Sequence, residues 1–465
     1  MTLFMLPWLE IAAVIPAAGA ALIGTTRGRP FAARAAFVAT SLALAAALLA
    51  MASYGLANDG EVSDVVGGWA GRPMFRLDRL SGPLPVLVAV LHSVTALATA
   101  RVTWSRASFA AILAMESIQL AVVSCVDPWT IVALLSLGAV PPAVKMVAQG
   151  KPARVFILHM TVFAALLAGG WAGMEAGAAW APAVVAVAVL LRSGCFPGHL
   201  WVLELFEHAS LGTALLFVAP LSGVCAAARL LLPTAPDAVM NAVGLVALVT
   251  TLHAAGMATV QRDMRRFFAY LFLSHAALVM CGLEAQSATS LTGGLTLWVS
   301  VAVSLGGLCL TLRAIEARFG RLPLAPHHGL YAQTPLVAVG FLLTGLAAVG
   351  FPGMLGFVAA ELLITGLMPV DPVVAVGLTV ATAINGIAIV RAYLLIFTGK
   401  NRPAAPRMDG TPRERGVILA VVAALLIFGL WPRPLVNDRH AAAAEILARR
   451  LSPPAQHEPQ GHVSD

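Results

Sequence analysis

Gly350-Phe351-Pro352-Gly353-Met354-Leu355 interrupts an apolar run that extends from residue 333 to residue 368. A straight helix crosses the hydrocarbon core of a bilayer in about 20 residues, so this run is too long for one crossing. Proline removes a backbone donor, and a proline flanked by glycines is where such a helix breaks. The run therefore reads as one discontinuous span. A second copy of the pattern FPGxL stands at Phe196-Pro197-Gly198-His199-Leu200, at the end of another apolar run.

Outward from these two breaks, apolar segments of spanning length fall at 3–24, 31–55, 81–101, 107–125, 128–148, 153–174, 179–195, 210–232, 237–260, 267–284, 291–315, 333–368, 373–399 and 415–436. Five crossings separate the two FPGxL copies, and five is odd, so the copies run in opposite directions. That is the signature of an inverted-topology repeat, in which broken helices expose backbone groups near the midplane. The expected fold is thus an all-α polytopic membrane protein of about 14 transmembrane helices. It has two inverted five-helix repeats, about 107–232 and 237–399, with broken helices in spans seven and twelve. Residues 1–437 form a single transmembrane domain, and 438–465 a polar C-terminal tail with a short amphipathic helix near 441–451.

Composition agrees. Of the 465 residues, 59% are hydrophobic and 11% charged, with a mean hydropathy of +0.88. Soluble domains run nearer 45–50% apolar and about 25% charged. Disorder, a coiled coil and an ordinary cytosolic enzyme are excluded. The basic residues are almost all arginine, with only Lys145, Lys151 and Lys400 as lysines, and they sit singly or in threes between apolar runs. Such scattering speaks against a nucleic-acid partner. Five cysteines without CxxC or paired spacing indicate neither a disulfide framework nor a cysteine metal site. No P-loop, HExxH or GxSxG is present, so no active site, cofactor or metal of the chain's own is expected.

The positive-inside rule tests the topology independently. With the N-terminus outside, the cytoplasmic loops carry 19 Lys and Arg, in groups at 27–34, 101–106, 145–154, 262–266, 313–321 and 400–415. The outer loops hold Arg72, Arg76 and Arg79, offset by Asp59, Glu61, Asp64 and Asp78. The loop 196–209 departs from the pattern, carrying Glu204 and Glu207 but no Lys or Arg. Both termini are expected outside a bacterial inner membrane. The first span has no basic flank before it, so it reads as a retained helix rather than a cleaved signal.

Ionisable side chains within spans are expensive and mark pathways by default. They are Glu116, His159, Arg192, His253, Glu361 and Arg391, with His92 and His275 joining more weakly. Arg229, Glu284 and Arg391 lie towards span ends, where long side chains reach the interface. A lone histidine on an apolar helix face is more often a packing residue held by a backbone carbonyl. Glu116 and Glu361 resist that explanation, because a carboxylate so deep must pair or stay protonated, and both states suit proton transfer.

Four stretches carry a family resemblance: Phe75 to Ser81; Arg192 to Trp201 (RSGCFPGHLW); Gln261-Arg262-Asp263-Met264-Arg265-Arg266 with Ala269-Tyr270 and Ser274-His275; and Gly350 to Glu361. They resemble the antiporter-like membrane subunits shared by respiratory complex I, membrane-bound hydrogenases, formate hydrogenlyases and multisubunit sodium/proton antiporters. The resemblance runs from about residue 75 to 400. It implies a proton path along the midplane, built from a Glu in span five, lysines in spans seven and eight, and a Lys or Glu in span twelve. Carried over, the span-five Glu falls on Ser136, or on Leu137 if the gap is shifted. The span-seven Lys falls on Arg192, the span-eight Lys on Gly223, and the span-twelve site on Ala360, with Glu361 one position late. Lysine can shed a proton when buried and arginine effectively cannot, so the inherited path is damaged.

Two functions follow as expectations. The chain is either a proton- or cation-translocating subunit with a rebuilt path, or a non-pumping scaffold of a hydrogenase, respiratory or inorganic-carbon uptake complex. The rebuilt path comprises Glu116, Arg192, His199, His253 and Glu361, supported by Lys145, Glu204, Asp263 and His275. The implied partners are other membrane subunits, a soluble redox or metalloenzyme arm, and the lipid bilayer. The implied machine is an NADH-quinone oxidoreductase-like or hydrogenase-like translocase. The tail after span fourteen is too short for the long lateral helix of some family members.

Overall fold

The structure is a computed structural model that describes residues 7–25, 28–56, 62–63, 74–101, 104, 106–284, 287–399, 408 and 410–451. Asp59, Glu61, Asp64 and Arg72, the loop residues Arg27, Lys400, Arg402 and Arg407, and the tail beyond 451 lie outside the described residues.

The chain is helical almost throughout, because a backbone in lipid must satisfy its polar groups within each segment. In order, the helices are α1 (Trp8–Thr25), α2 (Arg29–Leu56), α3 (Leu84–Leu97), α4 (Arg106–Ser124), α5 (Pro128–Gly138), α6 (Val140–Ala148), α7 (Arg154–Glu175), α8 (Ala181–Arg192), α9 (Leu200–His208), α10 (Leu211–Val218) and α11 (Ser222–Ala226). A π-helical turn, Ala227–Leu231, extends α11. Then come α12 (Asp237–Val260), α13 (Met264–Glu284), α14 (Ala288–Phe319), α15 (Pro335–Ala348), α16 (Leu355–Leu367), α17 (Pro372–Phe397), α18 (Pro412–Leu430) and α19 (Arg433–Leu451). Among the described residues nine helical segments are long and apolar enough to cross a membrane. The bent pair α18–α19, angled by 71°, adds a tenth, and five apolar helices are shorter. The protein is an integral membrane protein.

Starts and stops follow local chemistry. Asp127, Ser210, Ser287, Asp371 and Thr411 each accept a hydrogen bond from the first turn of the helix they precede. Thr411 and Glu414 complete a reciprocal capping box at α18. Proline opens α5, α15, α17 and α18, where its missing N–H is no loss.

The FPGxL copies occupy the gaps between α8 and α9 and between α15 and α16. Gly350 and Gly353 hold φ of 75° and 86°, the left-handed region that glycine adopts without strain. A third break separates α10 from α11, where Leu221 has φ 51° and ψ 50°. Each break frees backbone carbonyls, and each is met by a buried side chain. Trp201 Nε1 donates to Leu191 O at 2.9 Å, and Trp298 Nε1 donates to Pro220 O at 3.0 Å. His275 Nε2 lies 3.2 Å from Ala348 O.

Two segments differ from the sequence expectation. The stretch 196–209 is no simple loop: its LWVLELF run forms α9, with Trp201, Leu205 and Phe206 buried. The helix expected near 441–451 begins at Arg433 and packs against α14. Arg439 anchors it, fully buried, donating to the carbonyls of Leu80 and Arg79 at 2.8 and 2.6 Å.

Candidate functional site

The middle of the bundle is built on three segments almost wholly enclosed by others, 211–231, 264–284 and 288–319. Polar side chains interrupt this apolar interior at the helix breaks. Arg192 ends α8 and is 5% exposed. Its guanidinium carbon lies 4.1 Å from the Phe217 ring centre and 5.6 Å from that of Trp201, a cation–π seat rather than an ion pair. Among the described residues no carboxylate pairs with it, and its Nε has no partner. A small cavity touches Arg192, Ser193, Ser222 and Gly223, and the hydroxyls of both serines are unpartnered.

At Gly223 the start of α11 runs close against α8. A Cβ at this position would lie 2.3 Å from Ser193 Oγ and 3.0 Å from Ser193 N, so the start of α11 is pressed against the end of α8. The close approach that brings the two serines together excludes any side chain at 223.

From Arg192 the broken segment leads to His199, which is 8% exposed. Its ring centre lies 5.6 Å from that of His253 on α12 and 6.1 Å from Tyr270 on α13. Phe196 packs 5.0 Å from His253, and its backbone N–H donates to Thr250 Oγ1 at 2.9 Å. Beyond this cluster, Ser274 Oγ donates to Thr251 O at 2.9 Å and accepts from Asn385 Nδ2 at 2.8 Å. His275, next in sequence and fully buried, has Nδ1 2.8 Å from Leu271 O and Nε2 3.2 Å from Ala348 O. Both carbonyls can only accept. A neutral ring satisfies one of them, and the imidazolium satisfies both.

Other sequence candidates lie apart. Glu116 on α4 is 0% exposed, and neither carboxylate oxygen has a partner. Three residues on, Gln119 donates to Leu216 O of α10 at 2.6 Å. Glu361 is exposed on α16, touched by Thr365 Oγ1 at 3.5 Å, and takes no place among the buried groups. Lys145 on α6 is buried and donates to Thr213 Oγ1 at 2.7 Å. Two supporting residues act on helix ends. Glu204 accepts from Phe156 N at 2.6 Å in the first turn of α7. Asp263 accepts from Arg265 N and Arg266 N at 2.9 and 3.0 Å at the start of α13. Among the described residues no group of three or more potential metal ligands converges.

Arg229 does not simply reach for the interface. It forms a two-pronged salt bridge with Asp78, both side chains under 10% exposed. Arg391 donates to the carbonyls of Gln261 and Leu324 at 3.2 and 3.5 Å, tying α17 to loops at its end. Burial alone would raise the Asp78 carboxyl. Arg229 and hydrogen bonds from Ser81 instead hold it down at about 2.

The sequence does not single out Tyr270, Ser193, Ser222, Ser274 and Asn385, which the fold brings beside these groups. Uncharged, they carry no intramembrane penalty large enough to draw notice. Asn385, fully buried with its Oδ1 unpartnered, was the one detectable signal, as an amide in the middle of an apolar run.

The family model for the NADH:quinone oxidoreductase/Mrp antiporter transmembrane region matches residues 157–385. NADH-quinone oxidoreductase subunit 13 of Thermus thermophilus is 28% identical over 282 residues, which is 60% of this chain and 60% of that protein. The chain thus matches three fifths of that relative's length. Among solved structures, a chain of respiratory complex I from Thermus thermophilus superposes with a TM-score of 0.85 at 22% identity, over 96% of this chain and all of that one. A chain of the Mrp complex from Dietzia sp. DQ12-45-1b does so with a TM-score of 0.81 at 18% identity, over 96% and 100%. At these identities the superpositions speak for the fold.

Proposed function

We propose, from the premise that this chain belongs to the antiporter-like membrane-subunit family of NADH:quinone oxidoreductases and Mrp antiporters, that it works as a proton-translocating subunit of a larger redox-linked membrane complex. The observation that carries the proposal is the cluster of His199, His253 and Tyr270 at the break between α8 and α9, with ring centres 5.6–6.5 Å apart. Titratable rings at that spacing, with hydroxyls and water between them, can relay a proton where the family's lysines are missing. In this reading the path runs from Ser193, beside Arg192, through His199 and His253 to Ser274 and His275, and ends at the carbonyls freed by the α15–α16 break. Glu116 is the protonatable group on the flank of the path.

Arg192 holds a fixed positive charge beside the relay. It repels an arriving proton instead of carrying one, which gives direction to the neighbouring histidines. Glu361, exposed at a depth where a carboxylate is costly, supports a neighbouring membrane subunit packed over α16 and supplying its partner.

The finer architecture belongs to the same proposal. Counting α5–α6, α8–α9, α10–α11, α15–α16 and α18–α19 each as one crossing gives fourteen spans. The FPGxL breaks relate two inverted repeats, about 107–232 and 237–399, within one domain, 1–437. The basic groups then face the cytoplasm, with both termini outside a bacterial inner membrane.

The test is proton uptake by proteoliposomes containing the purified complex, comparing wild type with Glu116→Gln, His253→Gln and Glu361→Gln at matched assembly. Loss of uptake in the variants supports a path through this chain. Normal uptake in all three supports the second reading, a scaffold that has kept the fold and lost the pump. The contact of Gly223 with Ser193 favours that reading, since it closes the site of the family's span-eight lysine.

A further inference from the structure

The positively charged face of the bundle holds a second polar site, separate from the midplane groups. A cavity of about 250 Å³ opens between the ends of α3, α6 and α14 and the start of α10. At about 30 Å³ per water it has room for several waters or for a phosphate group. Lys145, Arg265 and Arg313 line it against the single carboxylate of Glu316. That carboxylate is already engaged at both oxygens by Arg265, through Nε at 2.8 Å and through Nη2. Arg265 Nη1 also donates to the carbonyls of Phe206 and Ala209 at 3.0 and 2.7 Å.

Lys145 and Arg313 are left without a carboxylate among the described residues. Lys145, 7% exposed, donates to Thr213 Oγ1 at 2.7 Å and to Ser210 Oγ at 3.4 Å. Arg313 donates to Thr95 O at 3.2 Å and to Thr99 Oγ1 at 3.0 Å. It lies flat over the backbone of Gly212, where a Cβ would stand 3.1 Å from its guanidinium carbon. Both cations therefore converge on the amino end of α10, whose N-cap is Ser210. A helix amino end carries partial positive charge and favours anions, so two cations there invert the usual arrangement. Lysine, arginine and a helix amino end in one cavity form the donor set that phosphate oxygens select.

We propose that this cavity binds a phosphate group, held by Lys145, Arg313 and the first turn of α10. Its source is either the head group of an anionic membrane phospholipid, which basic pockets between helices at the cytoplasmic face recognise, or a free phosphate from solution.

The test uses the full-length protein, purified in mild detergent and returned to nanodiscs. Three samples are compared: phosphatidylcholine alone, phosphatidylcholine with cardiolipin, and phosphatidylcholine with added inorganic phosphate. The readouts are unfolding temperature and retained lipid by native mass spectrometry. A saturable rise with cardiolipin alone identifies a lipid head group, and a rise with inorganic phosphate identifies a free anion. Lys145→Gln and Arg313→Gln should each raise the half-saturating concentration at least tenfold. Should either variant fail to fold, Ser210→Asp decides, because aspartate is a good N-cap and places an internal anion in the cavity. That variant should be more stable than wild type in phosphatidylcholine and should lose the response. No response of the wild type to either additive, or a Ser210→Asp response equal to wild type, overturns the proposal.

Discussion

At the residue scale, two buried groups stand in opposite situations, Glu116 without a partner and His275 with two. Glu116 has no hydrogen bond to either oxygen and no exposure, and an ionised carboxylate in such a place would be very costly. Glu116→Gln, which keeps shape and removes the proton store, should leave the unfolding temperature unchanged or raised. Proton uptake should fall by roughly 10²-fold or more, the scale of a lost proton-transfer group. Denaturation followed by circular dichroism, beside uptake by the same preparation, checks both halves. His275 behaves oppositely, because its ring meets two carbonyls. His275→Ala strands the Ala348 carbonyl at the α15–α16 break and should cost about 1–3 kcal/mol, measured by equilibrium unfolding in detergent. A wild-type midpoint in that variant would mean that the break does not depend on the ring.

At the scale of elements, the pair between Asp78, just before α3, and Arg229, in the turn that extends α11, ties the loop before α3 to one of the most enclosed segments of the bundle. Asp78→Asn leaves Arg229 charged and unpartnered, which should destabilise by about 3–5 kcal/mol. The pH dependence has a definite sign. The folded carboxyl titrates at about 2, below its ordinary value of 3.8. Its contribution of about 2 kcal/mol is thus complete above that ordinary value and is lost as pH falls through about 2. The wild type should lose stability between pH 4 and pH 2, and Asp78→Asn should show a flatter slope there. Acid unfolding curves of the two proteins, run in parallel, make the comparison.

For the whole molecule, the exposed carboxylate of Glu361 and the exposed Phe357 one turn before it on α16 define the face on which assembly is proposed. A cysteine in place of Phe357 should cross-link to a neighbouring subunit in native membranes. Glu361→Lys should reduce the fraction of the chain that migrates with the complex on a native gel. A chain that assembles normally with Glu361→Lys would place the neighbour elsewhere.

By itself the sequence determined the membrane setting, the helical class and the two FPGxL breaks. Those depend on local chemistry: apolar length, the missing donor of proline and the left-handed freedom of Gly350 and Gly353. It also singled out Arg192, His199, His253 and His275, because charge within an apolar run is visible one residue at a time. Only the tertiary structure decided which of those groups meet. Glu361 and Glu116 look alike in sequence, yet one lies on the outside of α16 and the other is sealed on α4. The rotation of each helix about its axis comes from packing, and these helices are apolar around nearly their whole circumference. The break at Leu221, the helix α9 within an expected loop, and the meeting of Lys145 with Arg313 come from the same source. Each depends on contacts between segments far apart in the chain, which no local pattern encodes.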